Sequence, residues 1–139
     1  MKTIILSLLT VIFLTSCSKD IKEQDPIVGK WHLKQFFRND SLKVLTECAL
    51  LKTIEFKSNG YYTEEYFIKD TISNTCVPNG TSGYKWGKNG NQYTIDNGSL
   101  VNQNDQIKLE NNNLIYSYEG WHFTSNTIVT SNIKLIYQK

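Results

Sequence analysis

Residues 54–68, IEFKSNGYYTEEYFI, are the stretch that decides the fold of this 139-residue chain. Apolar and polar residues alternate on both sides of Ser58-Asn59-Gly60. A period of two is typical of a β-strand with one buried face, and Asn-Gly accepts the positive φ that a tight hairpin requires. The stretch therefore predicts an antiparallel hairpin with strands over 51–57 and 61–68.

The turn also decides which side chains face inward. A left-handed bulge at Gly60 would place Phe56 and Tyr62 on one face, with Glu64 after them. A two-residue turn would instead place Glu65, and not Glu64, on the same face as Phe56. We prefer the first option because it groups more aromatic surface inside. Either option turns a glutamate inward, which indicates an interior that is not wholly dry.

Similar short alternating segments follow along the chain. They predict strands over 27–37, 83–88, 92–96, 106–110, 114–119 and 132–138, joined by turns rich in Asn and Gly. A helical turn is predicted over 46–50 with Thr46 as its cap, and a long loop over 69–81. In the first strand, alternation places Trp31, Leu33 and Phe37 inside and Arg38 outside. The pattern indicates an antiparallel meander, either a sandwich or a closed barrel.

The N-terminus reads as an export signal over residues 1–16, with Lys2 before an apolar run too short to span a membrane. Leu14-Thr15-Ser16-Cys17 resembles the bacterial lipobox, which implies a lipid on Cys17, a tether over 17–26 and a domain over 27–139. The alternative is a plain secretory signal with a chance cysteine. The lipobox predicts a protein anchored to a membrane of the cell envelope by its N-terminal lipid.

Composition excludes some partners. The net charge of +2 is nearly balanced and Lys and Arg do not cluster, which argues against nucleic acid. Cys48 and Cys76 are expected to form a disulfide outside the cytoplasm. Free thiols are an alternative; metal binding is disfavoured because neither His32 nor His122 lies at ligand spacing from them. We expect no metal, no cofactor and a monomer.

Several motifs together carry a family resemblance. DPIVGKWHLKQF (25–36), Cys48, IEFKSNGYYTE (54–64), Cys76 and SGYKWGKNGNQYTI (82–95) resemble the lipocalin-like domain lipoproteins of Bacteroidetes, over residues 25–138. The resemblance implies an all-β, calycin-type, up-and-down antiparallel barrel of about eight strands, narrow at one end and open at the other. It also implies the outer membrane as the destination.

The resemblance assigns structural places as well. Trp31 of the Gly29-x-Trp31 motif would close the narrow end of the barrel. In typical lipocalins an arginine near the last strand stacks on this tryptophan, whereas the last strand here offers only Lys134 and Lys139.

Three classes of function follow from this fold. The leading hypothesis is non-enzymatic binding of a small apolar or aromatic ligand inside the barrel, the alternative for each lining residue being plain core. The candidate lining residues are Tyr62, Glu64, Tyr66, Tyr84, Trp86, Tyr93, Tyr116 and Tyr118. The second hypothesis is a protein-interaction module, such as an inhibitor, an immunity protein or an envelope-complex subunit. It would use loops at the open end, including 69–81.

An enzyme is the weakest hypothesis. His32 falls on the outward face of its strand, and His122 lies between Trp121 and Phe123, where a core or rim position is the simpler explanation. Glu64 and Glu65 face opposite sides of one strand, so they cannot act as a pair. We therefore predict that the protein is not an enzyme.

Overall fold

The computed structural model describes residues 24–96, 105–124 and 127–139, and the side chains of residues 122–124 are not described. The predicted signal peptide, Cys17 and most of the tether lie outside the described residues. No helix in the described part of the chain is long and apolar enough to cross a membrane.

The described residues form one antiparallel sheet that closes on itself. Its elements, in chain order, are β1 (Gly29–Arg38), β2 (Ser41–Lys43), α1 (Glu47–Leu50), β3 (Thr53–Phe56), β4 (Tyr61–Lys69), β5 (Cys76–Asn89), β6 (Gln92–Asp96), β7 (Gln106–Glu110), β8 (Asn113–Thr124) and β9 (Thr127–Gln138). Neighbouring strands pair in the order β2-β1-β3-β4-β5-β6-β7-β8-β9, and pairing of β1 with β9 closes the barrel. The predicted all-β barrel is confirmed: eight strands form its wall, and the short β2 pairs with the end of β1.

The β3–β4 hairpin takes the predicted bulged turn. Gly60 has φ of +83°, and Phe56 pairs directly with Tyr62. Both side chains are 1% exposed, and their ring centroids lie 5.0 Å apart. The turn places the largest aromatic surface of the hairpin in the bore.

The helical turn is confirmed, with Thr46 Oγ1 accepting a hydrogen bond from the Ala49 N–H at 3.2 Å. The long loop predicted over 69–81 is wrong, because β5 already begins at Cys76. Pro78 fits into this strand opposite Phe67, where the register shifts next to Tyr66. Only residues 70–75 remain as the connection, in which the Asp70 carboxylate accepts hydrogen bonds from backbone N–H groups.

A bulge in β1 corrects the predicted facing of its second half. The register between β1 and β9 shifts between Leu33 and Gln35, so the alternation reverses beyond Leu33. Arg38 pairs with Ile133, which is 7% exposed, and it faces the bore rather than the outside. Phe37 turns outward, where Lys134 Nζ lies 4.6 Å from its ring centroid.

Candidate functional site

The lower part of the bore is packed with aromatic rings. Trp86 meets Phe56 edge to face at a centroid distance of 5.8 Å and Tyr93 at 6.2 Å. The Trp86 indole N–H also donates to the Lys57 carbonyl at 2.9 Å. Close packing of this kind stabilises the barrel and leaves these rings as core.

Trp31 closes the end of the barrel where these rings lie. It is 3% exposed, and its indole N–H donates to the Ile27 carbonyl at 2.7 Å. Lys139 Nζ lies 4.8 Å from the Trp31 ring centroid and donates to the carbonyls of Pro26 and Val28 at 2.9 and 3.0 Å. Lys139 therefore supplies the cation that an arginine supplies in typical lipocalins.

Asp25 ties the incoming chain to this closed end. Its carboxylate accepts hydrogen bonds from Lys88 Nζ at 2.8 Å and the Tyr93 hydroxyl at 2.6 Å, and from the Ile27 N–H at 3.1 Å. Burial raises the pKa of Asp25, but these hydrogen bonds and the charge of Lys88 outweigh it, so the pKa lies below its ordinary value of 3.8. Asp25 and Pro26, which belong to the predicted tether over 17–26, thus contact the barrel.

The depressed pKa of Asp25 predicts an acid-dependent loss of stability. Since the folded pKa lies below the unfolded one, the contribution of Asp25 is present above pH 3.8 and is lost as the pH falls through the folded pKa. We expect the stability difference between the wild type and Asp25→Asn to shrink below about pH 4. Urea unfolding from pH 7 to pH 3 measures it, with Asp40→Asn as an exposed control. A difference that does not change with pH would contradict the assignment.

The middle of the bore holds a different kind of surface, which we call the tyrosine cluster: Tyr62, Tyr116, Tyr118 and Tyr137. Burial raises the pKa of each of these tyrosines, and the charge of Glu64 raises each further. The Tyr62 hydroxyl donates to Glu64 at 3.2 Å. The charge of Glu64 therefore acts on four tyrosines from three strands of the barrel.

The carboxylates of the bore have different partners. Glu64 forms an ion pair with Lys52, and both side chains are less than a quarter exposed. Asp105 accepts a hydrogen bond from the Tyr116 hydroxyl at 3.1 Å through Oδ2. Burial raises the pKa of the Asp105 carboxyl, and the hydrogen bond from Tyr116 offsets only part of this rise.

Three polar atoms of this region have no hydrogen-bond partner among the described residues: Arg38 Nε, Asp105 Oδ1 and the Tyr137 hydroxyl. All three are buried, and Tyr137 is 0% exposed. A buried polar atom without a partner costs about 1–3 kcal/mol. Such atoms are therefore unusual in a folded protein unless ordered water or a bound molecule satisfies them.

All the predicted lining residues except Tyr66 divide between the two parts of the bore. Glu64, Tyr116 and Tyr118 lie in the middle together with Tyr84, whose ring stacks on Tyr62 at 6.3 Å. Trp86 and Tyr93 belong to the packed closed end, and Tyr62 connects the two parts. Tyr66 is 40% exposed, and its hydroxyl lies where a side chain on Gly80 would stand.

Sequence reasoning missed Arg38, Asp105 and Tyr137. Tyr137 alternates with Ile133 and Leu135 in β9, so the period-two pattern contained its signal. Arg38 was placed outside because the bulge was not predicted. Asp105 directly precedes β7 in a polar run, and nothing in that run marks one residue as buried.

The remaining predicted positions agree with the architecture. Cys48 and Cys76 form a disulfide, with their Cα atoms 5.2 Å apart, so that prediction is confirmed. His32 is exposed on the outer face of β1, and the His122 side chain lies outside the described part. No group of three or more His, Cys, Asp or Glu residues in the described part could hold a metal ion.

An open groove of about 800 Å³ lies below the closed end, bordered by Trp31, Asn113 and Gln138. Its amides are engaged with one another, since Gln138 Nε2 donates to Asn113 Oδ1 at 2.9 Å and Asn113 Nδ2 donates to the Asn111 carbonyl at 3.3 Å. The groove presents no unpartnered buried group, so the middle of the bore is the stronger candidate site.

Comparison with known protein families agrees with this architecture. The family model described as "Lipocalin-like domain" matches residues 27–135, most of the chain. The chain belongs to this family. Lipocalin-like barrels are generally non-enzymatic binding folds that suit small ligands. Neither the curated proteins nor the solved structures provide a significant match.

Proposed function

We propose that this lipocalin-like protein is a membrane-anchored, non-enzymatic binding protein that holds a small aromatic molecule in the middle of its barrel. The observation that carries the proposal is the buried Tyr137 hydroxyl, which has no hydrogen-bond partner among the described residues. It lies in the tyrosine cluster, where the charge of Glu64 acts on it. A site of this kind combines aromatic walls with a few convergent polar groups, as small-molecule sites do.

The aromatic walls favour a planar ligand. The rings of Tyr116 and Tyr118 lie 5.1 Å apart, and Tyr62 and Tyr84 form a second, nearly parallel pair. Ring faces and edges of this kind bind another ring in offset or edge-to-face contact. Because Trp31 and Lys139 close one end, the ligand enters from the opposite end.

A pair of substitutions on adjacent residues of β5 tests ligand binding. Ser82 pairs with Glu64 and faces the bore, whereas Thr81 pairs with Glu65 on the outer face. Ser82→Trp should fill the site and Thr81→Trp should leave it open. Native mass spectrometry of protein purified from its own host should show an added small-molecule mass in the wild type and Thr81→Trp, and not in Ser82→Trp. Absence of added mass from all three would contradict the proposal.

The membrane anchor is the second part of the proposal. Its support is the lipobox-like sequence before Cys17. Asp25 and Pro26 contact the closed end of the barrel, so the tether would meet the barrel there. The opposite end would then point away from the membrane. The intact mass of host-derived protein should show cleavage before Cys17 plus lipid, and Cys17→Ser should lack the lipid. An unmodified Cys17 would rule out the anchor.

One observation favours a protein partner as a second candidate function. Val44 and Ile72, on the two segments that flank the disulfide, are 99% and 94% exposed. Val44 borders one surface groove together with Leu42 and Leu50, and contiguous exposed apolar side chains are typical of interaction surfaces. Affinity capture from envelope extracts would favour this function if it recovered a stoichiometric protein that a Val44→Ser/Ile72→Ser variant loses.

A further inference from the structure

Two of the three unpartnered groups of the bore, Arg38 and Asp105, lie along one oblique row of paired residues. Arg38 in β1 pairs with Ile133 in β9, and Ile133 pairs with Tyr118 in β8. Gln106 pairs with Ser117, so Asp105, which precedes Gln106, comes next to Tyr118. The row thus runs from a cation to a carboxylate across the Tyr118 ring.

The two ends of the row require opposite chemistry from a ligand. Arg38 Nε is a donor without an acceptor, and Asp105 Oδ1 is an acceptor without a donor. These two atoms therefore do not bond each other. Glu64, the other carboxylate of the bore in the part of the chain that the structure describes, is already paired with Lys52. Arginine in a partly buried site prefers an anion such as a carboxylate.

We propose that the ligand is a one-ring aromatic acid with a hydrogen-bond donor at its other end, its carboxylate on Arg38 and its donor on Asp105. This inference rests on the function proposed above and specifies the ligand class of that site. The Tyr137 hydroxyl, which can donate or accept, provides a third contact.

The spacing fits a single ring. Arg38 and Asp105 are three strand spacings apart, which is about 14 Å along the barrel wall. Both side chains point inward, and the long Arg38 side chain covers part of the distance while its guanidinium lies 5.6 Å from the Phe36 ring centroid. In the proposed complex, one ring would lie against Tyr118 between the two head groups.

Four probes with the same ring separate the contributions. They are 4-hydroxyphenylacetate with both groups, phenylacetate with the acid alone, 4-methylphenol with the donor alone, and toluene with neither. Binding to the purified full-length protein is measured by calorimetry. 4-Hydroxyphenylacetate should bind tightest. Arg38→Gln should weaken it about tenfold or more and remove its advantage over 4-methylphenol. Asp105→Leu should remove its advantage over phenylacetate.

Matched controls remove charge from the same regions without touching the bore. Lys34→Gln changes an exposed cation of β1, and Glu110→Gln changes an exposed carboxylate at the end of β7, so neither should alter the affinities. If 4-methylphenol and toluene bind and 4-hydroxyphenylacetate is no better, the ligand class is wrong while ligand binding in the bore stands. Failure of all four probes would overturn the ligand class, and the Ser82→Trp comparison would still decide the proposed function independently.

Discussion

Replacing Trp31 with alanine is expected to lower the free energy of unfolding by about 3–5 kcal/mol. The side chain is 3% exposed, so its removal leaves a cavity at the closed end of the barrel, next to the aromatic rings that pack there. The substitution also removes the hydrogen bond to the Ile27 carbonyl and the ring under Lys139 Nζ. Urea unfolding followed by circular dichroism measures the loss.

Two further variants separate these contributions. Trp31→Phe keeps a ring at the closed end and loses the indole N–H, so its cost should be smaller than that of alanine. Trp121→Ala removes a tryptophan that is 65% exposed, and it should cost about 1 kcal/mol or less. If Trp31→Ala proved no more destabilising than Trp121→Ala, Trp31 would not be closing the barrel.

The parts of the fold that depend on local chemistry could be predicted from the sequence. Ser58-Asn59-Gly60 specifies a bulged turn through the φ that Gly60 adopts, and that turn fixes the facing of Phe56 and Tyr62. Thr46 caps its helical turn by accepting a hydrogen bond from the N–H of Ala49, three residues further along the chain. Such features are decided within a few residues, so the order of residue types is enough to find them.

The candidate site could be predicted only in part, because bulges and distant contacts decide the rest. A one-residue shift after Leu33 reverses every later side chain of β1, and it changes Arg38 from a surface cation into a group of the bore. Alternation alone cannot locate such a shift. Lys139 and Asp25 act at the closed end through partners far away in the sequence, which a reading of neighbouring residues cannot reveal.

The residues that were predicted correctly and those that were missed differ in their chemistry. The residues read correctly are mostly aromatic and apolar ones that build the wall and floor, and hydrophobic periodicity reports burial directly. The residues that were missed include the charged ones, Arg38 and Asp105. Burying a charged group costs free energy because it removes the charge from water. A fold retains buried groups of this kind where something else compensates their cost, and for that reason they mark the candidate site, together with the Tyr137 hydroxyl, better than the aromatic walls do.

Removing the disulfide should have an effect of similar size to that of Trp31→Ala. Cys48 and Cys76 are 28 positions apart, and a bridge that closes a loop of this length stabilises the folded state by about 3.5 kcal/mol in the chain-entropy model. We expect Cys48→Ser/Cys76→Ser to lose about this amount in urea unfolding, and the wild type to lose about as much in a thiol reductant. The double variant should not respond to the reductant.

The position of the disulfide also bears on the end of the barrel through which a ligand would enter. It joins α1 to the start of β5, so it holds the segment before β3 against the β4–β5 hairpin, away from the aromatic floor. Reduction should therefore lower stability without changing the packing around Trp31, which near-ultraviolet circular dichroism reports. A ligand that enters between these segments would also bind more weakly to the reduced protein, since the mouth would have to be ordered on binding. Unchanged stability after verified reduction would show that contacts other than the bridge hold these segments together.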